Sequence, residues 1–584
     1  MFGGLLAGLC SLWVLYDRTG KLVVNRVLSL AGRGTPPAVS EERYRLDWGG
    51  VKSPTSPQWK VRQGYDVAPV SRGFTFPVNI AFVPKPESSP DAPLYYVNEL
   101  HGTIKYVTRG GAIETYATGL TNFEPNPKPL PSDEMGLTGL MIVPGSEDLL
   151  VTGSYVDPES GLLFSRILRL VSEPGGRKLR EVKVLLDLKE LTAPSHQIQQ
   201  VVAGSDGKLY VSVGDGENRG FSLALDRFGG KILRLNFDGS ACEDNPFYDR
   251  NSPQSPRSYV YAYGLRNAFG FDVEPSSGEL FAVDNGPQVD RVIHVVRGGN
   301  YRWNGDDESM RSNAIFTWGP IMNPCPVGLA FSRHGVLGCS ESPNEQAGGS
   351  GQNAIRRMYI GLFGPTGKVG KNHGKSIVEF AIHSKTGMLE RGPEPIIQYD
   401  GEAMTTVLGL AEGPEGLYFT DFFGETPANG DPTGKGGVWK LVRSEATLKL
   451  VAAGNASLEG LAPVERGQVL FSRNCATCHR VTGVGGYEGP ELTHTATELD
   501  LRLNSKPYIV LVNGLLKSNK SFMVEQRSKL EAVLGAKVEN RRRAWLDHHL
   551  EEPRFDNPYA RMPSFAALPK QDREHVIAFL NTLE

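Results

Sequence analysis

The stretch that decides the fold runs from Val201 to Val211 and reads Val-Val-Ala-Gly-Ser-Asp-Gly-Lys-Leu-Tyr-Val. Two short apolar runs flank a central Ser-Asp-Gly, and a glycine at that place accepts the positive φ that a hairpin turn needs. Related stretches cover residues 271–281 and 408–419, and looser ones start near Val78, Gly136 and Val327. The same hairpin unit therefore recurs along the chain.

The spacing of these units predicts the architecture. They recur every few tens of residues between about residue 70 and residue 443, and we count about six. Repeats of that length, each sufficient for one small sheet, are typical of a β-propeller. A pair of β-sandwiches is the alternative, but sandwich strands carry turn signals at closer spacing. The 68 glycines and 40 prolines also favour many turns and short strands. We therefore predict a mainly β protein with a six-bladed propeller over residues 70–450.

The character of the sequence changes after Asn455. Amphipathic helices are predicted over residues 458–471, 530–550 and 570–583, and loops rich in glycine and proline separate them. A small all-α domain is expected over residues 455–584.

A metal-binding motif lies in this helical domain. Residues 475–479 read Cys-Ala-Thr-Cys-His. The thiols of Cys475 and Cys478 are spaced to add across the two vinyl groups of a haem, and His479 then lies beneath the iron as its proximal ligand. A C-x-x-C pair alone also fits zinc or redox chemistry, but the histidine and the helical context favour covalently attached haem c.

Residues 457–584 resemble class I c-type cytochromes. The resemblance rests on three segments: Gly467–Phe471 before the motif, Gly489-Pro490-Glu491-Leu492, and Arg561-Met562-Pro563-Ser564-Phe565. It implies that Met562 is the sixth iron ligand, although a core methionine is the alternative. Met523, His494, His548 and His549 are competing ligands. The stretch between His479 and Met562 is longer than is usual for these cytochromes, so an insertion is expected near residues 515–555.

The propeller resembles the glucose/sorbosone dehydrogenase family in four places. These are Glu134–Leu140, Ser195-His196-Gln197, Tyr263–Asn267, and Asp284–Pro287 with the Gly-Gly-Asn-Tyr-x-Trp segment at 298–303. The resemblance implies a six-bladed propeller that holds pyrroloquinoline quinone (PQQ) and Ca²⁺ on one face. It assigns His196 as the catalytic base, Glu134, Arg266 and Asn267 to the quinone, and the carbonyls of Gly286 and Pro287 to Ca²⁺.

The residue types suit the oxidation of a sugar or a related alcohol. Such a reaction needs a base for the O–H proton and an acceptor for the C–H hydride. Histidine, with a reference pKa of about 6.5, is a suitable base, and backbone carbonyls are ligands that Ca²⁺ prefers. The predicted enzyme is a PQQ-dependent sugar dehydrogenase that passes electrons through its haem to a downstream cytochrome or oxidase.

The last third of the propeller departs from the family pattern. The family places basic residues over the quinone from the fifth and sixth blades, but residues 405–408 read Thr-Thr-Val-Leu. Lys371, His373 or Lys375 are the candidates from the fifth blade. The departure favours an alternative in which the propeller is a binding module without quinone and the haem is the only redox centre. A third hypothesis, a hydrolase or lactonase with catalytic Ca²⁺, requires a central cluster of carboxylates and asparagines.

The remaining features concern location and partners. A formal net charge of -3 makes nucleic acid an improbable partner. The apolar run Phe2–Tyr16 predicts a signal or membrane-anchor segment over residues 1–16, followed by a tether and lead-in over residues 17–69. The first basic residues follow the run, which by the positive-inside rule would keep the chain inside, whereas covalent haem favours export to the periplasm or the outer membrane face. Cys325 and Cys339 are candidates for a local disulfide or for buried thiols, with Cys10 and Cys242 left over.

Overall fold

The computed structural model describes most of the chain from residue 50 onward. It covers residues 50–583 except for 63, 125–133, 191–193, 320–323, 334–354, 365–374, 384–386, 425, 427–434, 445–456, 477, 482–483, 486–488, 559 and 561. The predicted signal or anchor segment therefore lies outside the described residues. None of the helices within these ranges has the length and apolar character that a membrane crossing requires.

Six antiparallel sheets follow one another along the chain. Blade I contains Pro77–Phe82, Pro93–Glu99, Thr103–Thr108 and Ile113–Ala117. Blade II contains Leu137–Ile142, Leu149–Val156, Leu163–Ser172 and Leu179–Leu188. Blade III contains Ile198–Ala203, Leu209–Val213, Lys231–Leu235 and Val260–Tyr263. Blade IV contains Ala268–Val273, Leu280–Asp284, Asp290–Val295 and Phe316–Trp318, and blade V contains Pro326–Phe331, Ile355–Leu362, Ser376–His383 and Leu389–Tyr399. Blade VI contains Leu410–Gly413, Gly416–Asp421 and Lys435–Arg443. Short helices α1 (Arg219–Leu223), α2 (Pro256–Tyr259) and α3 (Asp307–Met310) lie in loops of blades III and IV.

The ring is closed by a strand from the other end of the chain. Tyr65–Thr75 forms the fourth strand of blade VI and pairs antiparallel with Lys435–Arg443. Trp59–Val61 extends blade V beyond Leu389–Tyr399, and Val51–Lys52 extends it again. The propeller therefore begins before the predicted boundary at residue 70, because the segment predicted as tether supplies strands to two blades.

Neighbouring blades meet at glycines in their first strands. A Cβ atom built on Gly139, Gly270, Gly328 or Gly409 would lie 2.2–2.6 Å from a backbone oxygen of the next blade. No side chain fits at these positions, so the first strands approach backbone to backbone around the ring axis. This close contact makes the start of each first strand a fixed point of the structure.

The C-terminal region consists of seven helices and one hairpin among the described residues. The helices are α4 (Pro463–Asn474), α5 (Thr495–Leu503), α6 (Lys506–Leu516), α7 (Ser521–Glu525), α8 (Arg527–Gly535), α9 (Val538–Glu551) and α10 (Lys570–Leu580), and the hairpin pairs Arg480–Val481 with Val484–Gly485. A single core joins all of these helices, and it includes Phe471, Cys475, Tyr508, Trp545 and Phe579. The predicted propeller followed by a small helical domain is confirmed.

Helices α4 and α10 cross at a glycine. A Cβ atom on Gly467 would lie 1.9 Å from the carbonyl oxygen of His575, and the rings of Phe471 and Phe579 meet with centroids 5.3 Å apart. Only hydrogen fits at this crossing, so the position explains why glycine precedes the haem motif.

We expect Gly467→Ala to lower the free energy of unfolding of this domain by about 1–3 kcal/mol, because the added methyl group forces the two helices apart. Gly514→Ala is the matched control, since it also lies in a helix but has open space around it. It should stabilise the domain by about 0.5–1 kcal/mol through helix propensity alone. Urea unfolding followed at the haem absorption would measure both; equal effects of the two variants would contradict the crossing.

Candidate active site and haem centre

The predicted catalytic residues lie at one end of the propeller. Glu134, His196 and Arg266-Asn267 stand just before the first strands of blades II, III and IV. One carboxylate oxygen of Glu134, Oε2, accepts hydrogen bonds from the backbone N–H of His196 and from Nδ2 of Asn267, both at 2.9 Å. This one side chain therefore joins three blades and brings the predicted residues together.

The imidazole of His196 is held by a carboxylate. Its Nδ1 lies 2.6 Å from Oδ1 of Asp215, which follows the second strand of the same blade. The other oxygen of Asp215 accepts the indole N–H of Trp303 at 2.8 Å, and the first also accepts the backbone N–H of Glu217. Because an ionised carboxylate only accepts hydrogen bonds, this contact favours the tautomer of the neutral imidazole that has its proton on Nδ1 and its lone pair on Nε2.

The backbone at His196 is strained. Its φ is +54°, a left-handed conformation that residues with a side chain seldom adopt. The conformation is held by hydrogen bonds at both ends, from the His196 N–H to Glu134 and from the Gly216 N–H to the His196 carbonyl. Strain that the surroundings fix in this way is concentrated at functional sites.

A buried ion pair supports the Arg266-Asn267 turn. Asp284 and Arg291 have fully buried side chains, and Nη2 of Arg291 lies 2.7 Å from Oδ2 of Asp284. Asp284 accepts the backbone N–H groups of Arg266 and Asn267, at 3.2 and 2.7 Å to Oδ1. Arg291 donates to backbone carbonyls between residues 301 and 312, and these hydrogen bonds hold the loop that carries Trp303. The pair therefore fixes both the turn and the loop.

The predicted Ca²⁺ segment forms a tight turn. The backbone N–H of Gly286 donates to Oδ1 of Asp290 at 3.0 Å, and the Oδ2 atom of Asp290 accepts the N–H of Cys325. Burial raises the pKa of Asp290 to about 7, against the lowering effect of the two N–H groups. Burial likewise raises the pKa of the Cys325 thiol. A Cβ atom on Gly286 would lie 2.1 Å from the carbonyl oxygen of Val289, so the turn requires glycine.

Several buried polar atoms here have no partner among the described residues. They are Oδ1 of Asn267 and both amide atoms of Asn285. The guanidinium of Arg266 donates to the carbonyl of Asn285 at 2.8 Å and lies 5.8 Å from the ring centre of Trp303. Buried amide groups normally find hydrogen-bond partners. Nδ2 of Asn285 can donate to a ligand oxygen, and the two amide oxygens can accept from a ligand N–H or O–H, so these atoms fit a polar ligand that carries both donors and acceptors.

The described residues on the other side of this face are mainly apolar. Thr405 and Thr406 are buried. The Thr405 hydroxyl donates a hydrogen bond to the Gly424 carbonyl, and the backbone N–H of Thr406 donates to the Asp421 carboxylate, both within blade VI. Lys375 donates to the carbonyl of Ala403 at 2.8 Å, and burial lowers the pKa of its ammonium group. Around them lies a cluster from blades I, V and VI formed by Phe76, Val78, Leu100, Met404, Phe422 and Phe423, with Phe363 and Leu408 against it. Lys371 and His373 lie outside the described residues.

The haem motif begins at the end of α4. Cys475 is buried in the domain core, and the backbone N–H of His479 donates to the Cys475 carbonyl at 2.9 Å. Nδ1 of His479 lies 3.0 Å from the Pro490 carbonyl, which orients the ring and leaves Nε2 for the iron. A Cβ atom on Gly489 would lie 2.3 Å from the His479 ring, so the Gly-Pro loop packs directly against the imidazole. Burial lowers the pKa of His479, which favours the neutral ligand form.

The candidate sixth ligands occupy different places. Met562 is partly buried and packs against the core cluster, whereas Met523 lies inside it. His549 stacks on Trp545 with ring centroids 4.2 Å apart, and His548 packs edge-on against Phe555. The exposure of Met562 next to the core suits a ligand that becomes buried only against haem, and Met562 therefore stays our predicted ligand.

The disulfide predicted between Cys325 and Cys339 remains untested. Cys325 is described but Cys339 is not, so their pairing stays a prediction, and Cys242 is buried without a disulfide. No group of three or more His, Cys, Asp or Glu side chains with metal-binding geometry occurs within the described ranges.

Comparison with known proteins gives two family matches. Residues 75–313 match the sequence model described as glucose/sorbosone dehydrogenase, and residues 464–584 match that of cytochrome c. Quinoprotein glucose dehydrogenase B of Acinetobacter calcoaceticus is 29% identical over 194 residues, which are 29% of this chain and 39% of that protein. Aldose sugar dehydrogenase YliI of Escherichia coli K12 is 29% identical over 121 residues, 20% of this chain and 32% of that protein. The alignments thus span well under half of these relatives.

Among solved structures, a putative oxidoreductase (glucose dehydrogenase) from a Thermus species covers 65% of this chain and 100% of its own, with 26% identity and a TM-score of 0.49. The fold is a six-bladed propeller followed by a helical region that matches the cytochrome c model. Residues 75–313 are similar to the glucose/sorbosone dehydrogenase family and residues 464–584 to cytochrome c, as the sequence motifs indicated.

The sequence analysis missed three residues that organise the site. Asp215 lies in a Gly-Asp-Gly segment to which the sequence analysis assigned no role, and its contact with His196 joins the ends of two strands. Trp303 is the last residue of the Gly-Gly-Asn-Tyr-x-Trp segment, and Arg291 follows Asp290. The charged pair Asp290-Arg291 at the start of a buried strand was the available signal for Arg291.

We expect Arg291→Met to lower the free energy of unfolding by about 3–5 kcal/mol, because Asp284 would keep a buried charge without a partner. Arg227→Met is the matched control: Arg227 pairs with Glu190 at 2.9 Å, but its side chain is 48% exposed. Loss of such a surface pair costs about 0–1 kcal/mol. Urea unfolding monitored by tryptophan fluorescence would distinguish them, and similar midpoints would contradict the supporting role of the pair.

The axial ligand is testable by its effect on the haem. Met562→Ala should lower the reduction potential, because a thioether ligand raises it, and axial ligands set potentials over a range of about 0.8 V. Met523→Ala should leave the potential nearly unchanged and lower stability instead. A spectroelectrochemical titration would measure both variants; a fall confined to Met523→Ala would exchange the two assignments.

Proposed function

We propose that the protein oxidises a sugar or a related alcohol with PQQ, and that the electrons pass to the fused haem c and then to a respiratory acceptor. His196 with Asp215 carries this proposal. The two family matches support an oxidoreductase with a cytochrome domain, and the printed names of two relatives, a quinoprotein glucose dehydrogenase and an aldose sugar dehydrogenase, support the quinone and the sugar class.

His196 acts as the base. Its Nδ1 proton is committed to Asp215 at 2.6 Å, so Nε2 takes the proton of the substrate hydroxyl. Asp215 stabilises the imidazolium that forms, and the indole of Trp303 keeps the carboxylate in place. The carbon that bears the hydroxyl group loses a hydride, which removes two electrons and gives a carbonyl product.

The residues of blades II to IV would hold the cofactors. Arg266 and Nδ2 of Asn285 would donate to the quinone oxygens, and the amide oxygens of Asn267 and Asn285 would accept from a ligand N–H. The Gly286 and Pro287 carbonyls would ligate Ca²⁺. When bound, PQQ with Ca²⁺ supplies the two-electron acceptor and the haem a one-electron relay. Arg266 neutralises negative charge on the oxygens that it contacts.

Fusion of the two domains suits this division of labour. A tether raises the effective concentration of an electron acceptor without any new contact. The apolar N-terminal run and the covalent haem support location in the periplasm or on the outer face of the membrane, with the N-terminal segment as a possible tether.

One observation favours the alternative of a propeller without quinone. Thr405 and Thr406 occupy the start of blade VI where the family resemblance implies basic residues, and an apolar cluster surrounds them. In that case the cytochrome would be the only redox centre, and PQQ would not bind.

The experiment is a haem-reduction assay on the full chain, matured with haem c and reconstituted with PQQ and Ca²⁺. A panel of aldoses and sugar alcohols should reduce the haem only when PQQ is present. His196→Ala should lower that rate by about 10²–10⁴-fold, the usual contribution of a general base, while dithionite still reduces the haem fully. His294→Gln, a histidine paired with Glu279 on the outer part of blade IV, should retain the rate.

Asp215→Asn tests the tautomer. An amide N–H facing Nδ1 would make that atom the acceptor and place the proton on Nε2, so the rate should fall nearly as far as in His196→Ala.

In the haem-reduction assay, retention of PQQ without reduction by any sugar would exclude the substrate class. Failure to bind PQQ, measured by equilibrium dialysis, would establish the alternative function.

A further inference from the structure

Helix α6 exposes an apolar stripe. Pro507, Val510, Leu511 and Gly514 lie on its outer face, and Val510 and Leu511 are 63% and 49% exposed. A Cβ atom on Gly514 would meet nothing within 4 Å. Val524 on α7 is also exposed, at 45%. Contiguous exposed apolar residues on a soluble domain mark interaction surfaces.

The inner face of the same helix belongs to the haem domain core. Tyr508 and Val512 are buried in the cluster that contains Cys475, and the Tyr508 hydroxyl donates to Asp556 at 3.1 Å. A molecule seated on the outer face would therefore be separated from the core around the haem attachment site by one helix, whose diameter is about 10–12 Å.

The segment of the chain that contains the stripe is rich in basic residues. The segment from Arg502 to Arg543 contains ten Lys and Arg residues and only three acidic residues. Three of the ten are neutralised by ion pairs with carboxylates: Arg502 with Asp556, Lys529 with Glu551 and Arg542 with Asp500. Lys506, Lys517 and Lys520, at the two ends of α6, are exposed and have no ion pair within the described part of the chain.

We propose that this surface of α6 is the docking site of an acidic, one-electron redox protein that accepts electrons from the haem. An apolar centre with a charged rim is the usual anatomy of a transient protein interface, and complementary charge mainly accelerates encounter. The partner would present carboxylates to Lys506, Lys517 and Lys520 and a small apolar patch to Val510 and Leu511. The role as electron exit rests on the proposed function, but the docking chemistry does not.

A protein fits this surface better than a lipid bilayer. Helices that lie in a membrane interface bury a wide face with bulky Trp, Phe or Leu side chains. The exposed stripe of α6 is one to two residues wide and includes proline and glycine, which suits a short contact with another folded surface.

The test uses the full chain with its haem reduced by dithionite and the excess reductant removed, so that the propeller reaction is not involved. Stopped-flow mixing with an oxidised acidic blue-copper protein gives the rate of haem oxidation. Lys506→Glu, Lys517→Glu and Lys520→Glu together should lower the second-order rate constant about tenfold or more at low ionic strength, and less than about twofold at 1 M, where the Debye length is about 3 Å. Val510→Ser with Leu511→Ser should slow the reaction at every ionic strength.

Two controls make the outcome decisive. Lys570→Glu reverses an exposed cation at the start of α10 and should change the rate much less than Lys517→Glu alone. A charge-reversed variant of the blue-copper protein should react more slowly with the unaltered chain and faster with the triple variant. Equal effects of Lys570→Glu and Lys517→Glu would overturn the proposal. So would lysine-dependent binding to phosphatidylglycerol vesicles without an effect on the blue-copper reaction, which would identify a membrane surface instead.

Discussion

The candidate active site depends on one buried ion pair, Asp284 with Arg291. Both side chains are removed from water, and each uses its remaining hydrogen-bonding capacity on backbone groups: Asp284 on the turn at Arg266-Asn267, and Arg291 on the carbonyls of residues 301–312. A charge buried without a partner would cost several kcal/mol. The two loops are therefore held in place by the requirement that the pair stay intact, and Trp303, which anchors Asp215, is held with them.

A carboxylate at the end of the second strand recurs around the ring, and blade III uses it differently. In blade IV Asp284, and in blade VI Asp421, accept backbone N–H groups just before the first strand, and in blade I Glu99 accepts the N–H of Thr75. These contacts fasten each first strand to its neighbour. In blade III the register position of Asp284 is occupied by Val213, which pairs with Ile198. The carboxylate of blade III lies two residues further on, at Asp215, where it binds the His196 ring, while Glu134 from blade II fixes the backbone of His196. This displacement places a carboxylate beneath the proposed base.

The features that could be predicted from the sequence are those whose signals lie in neighbouring residues. The hairpin turns, the Cys-x-x-Cys-His motif and the turn at Arg266-Asn267 are contiguous, so residue type and spacing were sufficient to find them. The start of the propeller was misplaced because Tyr65–Thr75 pairs with a strand that lies more than 350 residues further along the chain, and nothing local to the segment indicates that partner. Asp215 and Trp303 were missed for the same reason, since their roles arise from contacts between loops that are separated in sequence, and not from their own neighbours in the chain.

The uneven distribution of charge over the site restricts how it can bind an anionic cofactor. Among the described residues, blades II to IV supply Arg266, two asparagines with unpartnered amide atoms and the glycine-proline turn, whereas blades I, V and VI supply phenylalanines, Leu100 and Met404. Lys375, the fifth-blade candidate that lies within the described residues, donates a hydrogen bond to the carbonyl of Ala403. Within the described residues, negative charge brought into this site is therefore compensated by Arg266, together with any cation that the Gly286 and Pro287 carbonyls hold. Because uncompensated charge in a buried site is costly, we expect Ca²⁺ to contribute strongly to the affinity for PQQ that the proposed function requires.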